Sequence, residues 1–278
     1  SSGARGDGLR VGAGRVRVSH STEFAVAPGE DGSCASYRDA AQRLVSGHRV
    51  DVAVIQSHTC KADLSELFNE HGVLHFVQSG TNIEEETGGA SPGVNTWYTY
   101  LSSLDYPRLF LKKMELAGHY NLSLAWSESD PWTSLSASML KAKLESASSL
   151  QGRIRVVHTF SWREGEAGAG AWDSMVEGIV GSGAEVLIVY ARDEGPSLMN
   201  RIAEKSVPLA GVYITVSPSS PEWIALTGPN GQYVVTPAQW SPMAVSSCEV
   251  FGSVTEYVAL YAERLGREPG DHEALSTF

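Results

Sequence analysis

Long apolar runs are missing from this 278-residue chain. No stretch approaches the ~18–20 unbroken apolar residues that a membrane-spanning helix needs. No charged segment followed by an apolar one opens it in the manner of a secretory signal. The opening SSGARGDG reads instead as a linker or as a position inside a longer protein. Basic charge is also scarce: 21 Lys and Arg stand against 32 Asp and Glu, a formal net charge of −11. An acidic chain repels nucleic acid and anionic membrane surfaces, which argues against both as partners. The eight histidines form no H-E-x-x-H pair and no cysteine–histidine cluster of zinc spacing, so neither a metal nor a cofactor is expected.

What is present is a chain able to bury a core: 42% of residues are hydrophobic and 19% charged, and the length fits one large or two small domains at roughly 100–200 residues each. Short apolar runs bounded by turns read as strands at 15–19 (RVRVS), 50–55 (VDVAVI), 73–77, 122–126 (LSLAW), 153–159 (RIRVVHT), 186–190 (VLIVY), 211–215 (GVYIT) and 232–236 (QYVVT). Several are apolar on both faces, as central strands of a covered parallel sheet are. Between them lie segments with apolar residues at i, i+3 and i+4, expected as helices over 37–44, 63–71, 108–117, 134–145, 172–181 and 196–204, with another over 250–265. Repeated βαβ units imply a doubly wound α/β architecture, in which ligands bind beyond the carboxyl ends of the strands. The run 75–82 (HFVQSGTN) ends at such an edge in small polar residues, and 95–105 (NTWYTYLSSLD) breaks the alternation as a crossing between two lobes would.

The remaining motifs admit bland readings. Cys34 precedes the 37–44 helix and Cys60 follows the 50–55 strand, so βαβ geometry permits a bridge, and two unpaired thiols fit the arithmetic as well; Cys248 is the odd one out. Residues 89–93 (GASPG) match G-x-S-x-G, but an acidic loop precedes them and proline follows the serine; a nucleophile elbow needs a strand before and a helix directly after. The glycines of 165–170 and 181–183 lack the spacing of a phosphate loop and read as loop and helix-cap residues. His58, the run Glu84–Glu86 and the sequon Asn121-Leu122-Ser123 are expected as a solvated loop histidine, a solvated charge run and an unmodified strand start. Trp126, Trp132, Trp162 and Trp240 sit at or just past strand ends, placed either in the core or as walls of a cleft.

In order along the chain, several segments resemble the type I periplasmic-binding-protein fold: the branched-chain-amino-acid and urea-type solute-binding proteins of ABC transporters and the related ligand-binding regions of receptors. Residues 14–18 (GRVRV) look like its second strand, 37–45 with 50–55 like its helix and "VDAVIG" strand, and 70–74 (EHGVL) with 79–82 (SGTN) like its "E-x-G-I-P" and "AATN" segments. Residues 124–132 (LAWSESDPW), 183–190 (GAEVLIVY) and 257–269 with 272–277 are similar to "VLYDDDAYG", "GPDVIVL" and "F...Y...YGREP...AL..". The resemblance covers nearly the whole chain and is incomplete at both ends: the first strand and helix are expected before Gly14, and the family continues beyond Phe278.

The resemblance implies two lobes, 1–100 with 241–278 and 101–240, each a doubly wound, mainly parallel sheet with flanking helices. It implies a Cys34–Cys60 disulfide and hence an extracytoplasmic setting. It implies a Venus-flytrap mode of action: non-enzymatic binding of a small polar solute, amino-acid-like or amide- or urea-like, in an interlobe cleft that closes on it. The implied ligand set is Ser57, Thr59, Ser79, Gly80 and Thr81 from the first lobe, with Trp132 at the place of a family tyrosine and Tyr190 from the second. No carboxylate follows 211–215, where amino-acid binders place an acid for the ligand's ammonium; Asp193 or Glu194 could substitute if that loop folds inward. The implied partner is a membrane transporter or a fused receptor or larger complex, and a homo-oligomer stays open. The alternative is a structural or assembly module that keeps the fold without a ligand.

Overall fold

The computed structural model describes residues 9–11, 14–16, 34–55, 60–77, 95–98, 103–146, 153–220, 222–238, 247–248 and 252–269. Its contacts divide the chain into two compact units, Ser1–Gly80 with Ala90–Thr99, and Thr81–Gly89 with Tyr100–Phe278. Residues 241–278, expected with the first lobe, are grouped here with the second unit.

In the first unit a two-strand hairpin, β1 (Leu9–Val11) and β2 (Gly14–Val16), is antiparallel. The unit's sheet is β3 (Val52–Ile55), β4 (Leu74–Val77) and β5 (Thr96–Tyr98), all parallel and in that order. Helix α1 (Ala35–Gln42) runs into a wider π-type turn over Arg43–His48, which Arg49 ends in a left-handed conformation; α2 (Lys61–Glu70) follows β3. Alternation does the local work. Ala53 and Ile55 point into a core with Ala41, Val45, Leu64, Leu67, Phe68, Val73 and Val77, while Val52 and Val54 are exposed. β3 is thus buried on one face and exposed on the other. Cys34 and Cys60, the residues capping α1 and α2, form the disulfide, their Cα atoms 5.6 Å apart. His75 of β4 is fully buried against Phe68. Its Nδ1 meets the Val73 carbonyl at 3.2 Å and its Nε2 the Thr96 hydroxyl at 2.9 Å. Burial holds its pKa below the ordinary histidine value.

The second unit's sheet is parallel throughout: β6 (Asn121–Ser127), β7 (Arg155–Trp162), β8 (Val186–Tyr190) and β9 (Gly211–Ile214), in the spatial order β7-β6-β8-β9. Helices α3 (Arg108–Ala117), α4 (Pro131–Glu145), α5 (Ala169–Ser182) and α6 (Gly195–Glu204) supply the flanking layers. Period-2 alternation splits β8 between two cores. Val186, Ile188 and Tyr190 pack with α3 and α4 through Phe110, Leu111, Ala137 and Leu140. Leu187 and Val189 pack with α5 and α6 through Met175, Ile179, Leu198 and Ile202. All five residues of β8 are buried, which explains its unbroken apolar sequence. On the α5 side His158 of β7 bonds Ser123 of β6 at 2.8 Å and lies against Gly178 of α5 so closely that a Cβ there would fall 2.2 Å from its Nε2.

The run 232–236 is not a strand. Tyr233 takes a positive φ of 65°, which breaks extended pairing, and only a single bridge from Tyr213 to Val235 remains. A short α7 (Trp223–Thr227) precedes it. Beyond it lie β10 (Ser247–Cys248) and β11 (Gly252–Ser253), paired antiparallel, and α8 (Val254–Leu265), started by a reciprocal capping box between Ser253 and Glu256.

Candidate functional site

The carboxyl edge of the second unit's sheet gathers the ends of all four of its strands. β6 leaves the sheet into Glu128-Ser129-Asp130. Asp130 is the N-cap of α4, its carboxylate accepting the Trp132 amide hydrogen at 2.9 Å, with Pro131 as the first helical residue. This Asp-Pro start is what a helix beginning requires, because the cap oxygen satisfies an orphan N–H and proline needs no donor. The fully buried Thr133 locks the same turn by donating to the Ser127 and Asp130 carbonyls.

The cap fixes where Trp132 points. Its half-buried ring meets the Tyr190 ring edge-on, with centroids 6.1 Å apart at 76°. The guanidinium of Arg192 also lies over the Trp132 ring, 5.5 Å from its centroid. Arg192 follows β8, its side chain is 48% exposed, and its Nε is ion-paired with Asp130. Asp130, Trp132 and Arg192 thus form one cluster of an aromatic wall, a cation and the carboxylate that holds both.

Tyr190 takes a different position from the one expected. It is wholly buried in the α3–α4 layer, and its hydroxyl, like that of Tyr213, has no hydrogen-bond partner. Burial, then the neighbouring Tyr106, drive its pKa up. What Tyr190 offers the edge is its ring, as backing for Trp132.

The β8–α6 loop is bonded to the end of β7. Glu194 accepts the indole N–H of the buried Trp162 at 3.0 Å and the Arg192 amide hydrogen at 3.2 Å. On the next strand, Thr215-Val216-Ser217 closes a γ-turn, the Ser217 amide bonding the Thr215 carbonyl at 2.7 Å with Val216 at φ 62° and ψ −68°. A β-branched residue there is strained, a condition that clusters at ligand clamps. The Ser217 hydroxyl donates to the Arg192 carbonyl, and the Thr215 hydroxyl accepts from the Ala191 amide at 3.1 Å. The backbone carrying Arg192 is thereby pinned from β9. Across the β6–β7 junction, Ser161 and Arg163 bond the Glu128 carboxylate at 2.6 and 3.1 Å and hold its pKa below the usual carboxylate range.

Of the expected ligand residues, Trp132 and Tyr190 are brought into ring contact. Ser57, Thr59, Ser79, Gly80 and Thr81 lie outside the described residues, as do His58, Glu84–Glu86, the 89–93 motif and Trp240. Asp130 and Arg192 were not anticipated. The Asp-Pro pair before a helical pattern signals the first; no pattern signals the second, because its partners lie at sequence separations only the sheet brings together. Asn121 and Ser123 of the sequon are engaged: the Asn121 side-chain amide donates to the Gly183 carbonyl, and Ser123 is fully buried. Among the described residues no three His, Cys, Asp or Glu side chains could hold a metal ion, and no helix is long and apolar enough to cross a membrane.

No family model and no curated protein matches the chain. Solved structures do. A putative branched-chain amino acid ABC transporter protein from Rhodospirillum rubrum superposes with a TM-score of 0.65 at 17% identity, over 87% of this chain and 65% of that one. The leucine-, isoleucine-, valine-, threonine- and alanine-binding protein from Brucella ovis, in a closed conformation, gives 0.66 at 12% identity, over 88% and 61%. An ABC-transporter solute-binding protein from R. palustris in complex with benzoate gives 0.60 at 12% identity, over 88% and 64%. The chain spans less than two thirds of the length of each of these structures. It has the type I periplasmic-binding-protein fold, the α/β architecture of ABC-transporter solute-binding proteins.

Proposed function

We propose that this chain is a non-enzymatic binding module for a small polar solute, amino-acid-like or amide- or urea-like, working outside the cytoplasm with a membrane transporter or as part of a receptor. The observation that carries the reading is the Asp130–Trp132–Arg192 cluster. It stands at the carboxyl edge of a parallel α/β sheet, where this architecture binds ligands, and it presents an aromatic face beside a half-exposed cation. In this reading Trp132 stacks on the solute's body, Tyr190 backs it, and Glu194 is the acid available to an ammonium group. Ser57, Thr59, Ser79, Gly80 and Thr81 take the polar head from the first lobe. The lobes of this reading are 1–100 with 241–278 and 101–240, although contacts alone group 241–278 with the second unit. The Cys34–Cys60 disulfide supports an oxidising compartment.

The test is calorimetric titration with amino acids, amides, urea and benzoate. At least one class should bind saturably, and the Thr81→Ala, Trp132→Ala double variant should lose it; unchanged affinity in that variant would refute the site. A second reading, a structural or assembly module with no ligand, draws on Tyr190, whose side chain a solute cannot reach. No binding across the panel, with native mass spectrometry of source-purified protein showing a bare chain inside a larger complex, would favour it.

A further inference from the structure

A concavity of about 470 Å³ opens on the second unit at the opposite, amino-terminal edge of its sheet, lined by Tyr120, Asn121, Arg153 and Arg155. Every side chain in that lining offers a donor. Arg153 and Arg155 each carry a guanidinium, Tyr120 a phenol O–H and Asn121 an amide of which one N–H is committed to the Gly183 carbonyl at 3.3 Å. The two arginines are two residues apart at the start of β7, and Asn121 is the register partner of Arg155 across the β6–β7 ladder. Both arginines are exposed. Arg153 reaches only the Tyr120 hydroxyl, at 3.5 Å, and among the described residues neither arginine is ion-paired. The preceding residues 147–152 (ASSLQG) contain no acid.

One carboxylate, Glu185, bonds the backbone of two lining residues and is not paired with either arginine. Glu185 is held by the His119 Nδ1 at 3.2 Å and by the Tyr120 and Asn121 amides at 3.1 and 3.3 Å. Two uncompensated guanidiniums facing one hollow are unusual in a chain of net charge −11, where a neighbouring carboxylate is statistically easy to supply. A planar fork matches the spaced oxygens of an oxyanion, and two forks match a dianion better than a single carboxylate.

We propose that this hollow is a binding site for a small tetrahedral oxyanion, phosphate or sulfate, taken between Arg153 and Arg155. It is separate from the solute edge, which lies at the other end of the same strands, and does not depend on it. The anion would bridge the two guanidiniums, with the Asn121 amide and the Tyr120 hydroxyl completing its hydrogen bonds. The acidic chain and the Glu185 charge oppose it, so binding falls in the millimolar range and weakens as salt rises.

The test is a titration of ¹⁵N-labelled protein with sodium phosphate at constant ionic strength, chloride replacing phosphate in the control. The expected result is saturable shifts of the Tyr120, Asn121 and Arg155 amides with phosphate and not with chloride. The midpoint should rise about tenfold or more in the Arg153→Gln, Arg155→Gln double variant, by the loss of charge-assisted bonds, and rise by a smaller factor in the Arg153→Lys, Arg155→Lys variant, which keeps the charge and loses the forks. Trp132→Ala should leave the midpoint unchanged, so failure of the solute site and failure of this one are read separately. Shifts that never saturate, that chloride reproduces, or that survive in the double glutamine variant would overturn the proposal.

Discussion

Gly178→Ala should destabilise this protein, although alanine in place of glycine inside a helix ordinarily stabilises by about 1 kcal/mol. Gly178 lies within α5. A Cβ there would meet the His158 ring at 2.2 Å from Nε2, 2.8 Å from Cε1 and 2.9 Å from Cδ2, against the ~3.5 Å or more of an ordinary non-bonded contact. The ring must retreat by over an ångström. It cannot do so freely, because its Nδ1 is bonded at 2.8 Å to Ser123, whose side chain is fully buried. Retreat therefore strands a buried hydroxyl, a cost of about 1–3 kcal/mol, and overpacking adds a term of similar size. Set against the helical gain of about 1 kcal/mol, the net loss is about 1–5 kcal/mol, at ~2–4 °C of melting temperature for each kcal/mol. The assay is urea and thermal unfolding of four proteins: wild type, Gly178→Ala, His158→Ala and the double variant. In the His158→Ala background the same glycine replacement should stabilise, giving a coupling of roughly 2–6 kcal/mol. If Gly178→Ala raises stability in the presence of His158, the close packing of α5 on β7 described here is wrong.

Three further outcomes follow from particular contacts. His75 is neutral in the fold because burial lowers its pKa, while the unfolded chain takes up a proton below about pH 6.5. Its contribution is thus complete above that pH and shrinks as pH falls, by at most ~1.4 kcal/mol per unit; the difference between wild type and His75→Gln in urea unfolding at pH 7.5 and 5.5 should show this slope, and parallel curves would refute it. Asp130→Ala removes the α4 cap and unpairs Arg192, costing about 0.5–2 kcal/mol, whereas Asp130→Asn should restore most of the stability and not the ion pair, as denaturant midpoints would register. Replacing Cys34 and Cys60 by alanine opens the link between residues 26 apart and should cost about 3–4 kcal/mol in the chain-entropy view, measured as the gap between oxidised wild type and variant that disappears on reduction.

Much of the fold was legible along the chain, because apolar spacing is local information. The helix over 108–117 falls where its i, i+3, i+4 pattern placed it, and VLIVY reads as a central strand because both of its faces are buried. Where the reading failed, the cause was a backbone state that spacing does not encode: QYVVT alternates like a strand, yet Tyr233 at positive φ leaves a single bridge. The site was legible only in part. Trp132 at a helix start after Asp-Pro is a sequence signal; that Tyr190 turns inward and backs it is not.

The sequence by itself determined the repeated βαβ architecture, the acidic surface and the placing of Trp132 just past a strand end, since each depends on composition or on neighbours within a few residues. Only the tertiary structure decided that Arg192 reaches Asp130 and covers Trp132, that Glu194 folds onto Trp162, and that Arg153 and Arg155 share a hollow with Tyr120 and Asn121. Those contacts join strand ends that the sheet brings together and that are dozens of residues apart in the chain, and strand order in a parallel sheet is set by how whole layers pack, which no short stretch of sequence carries.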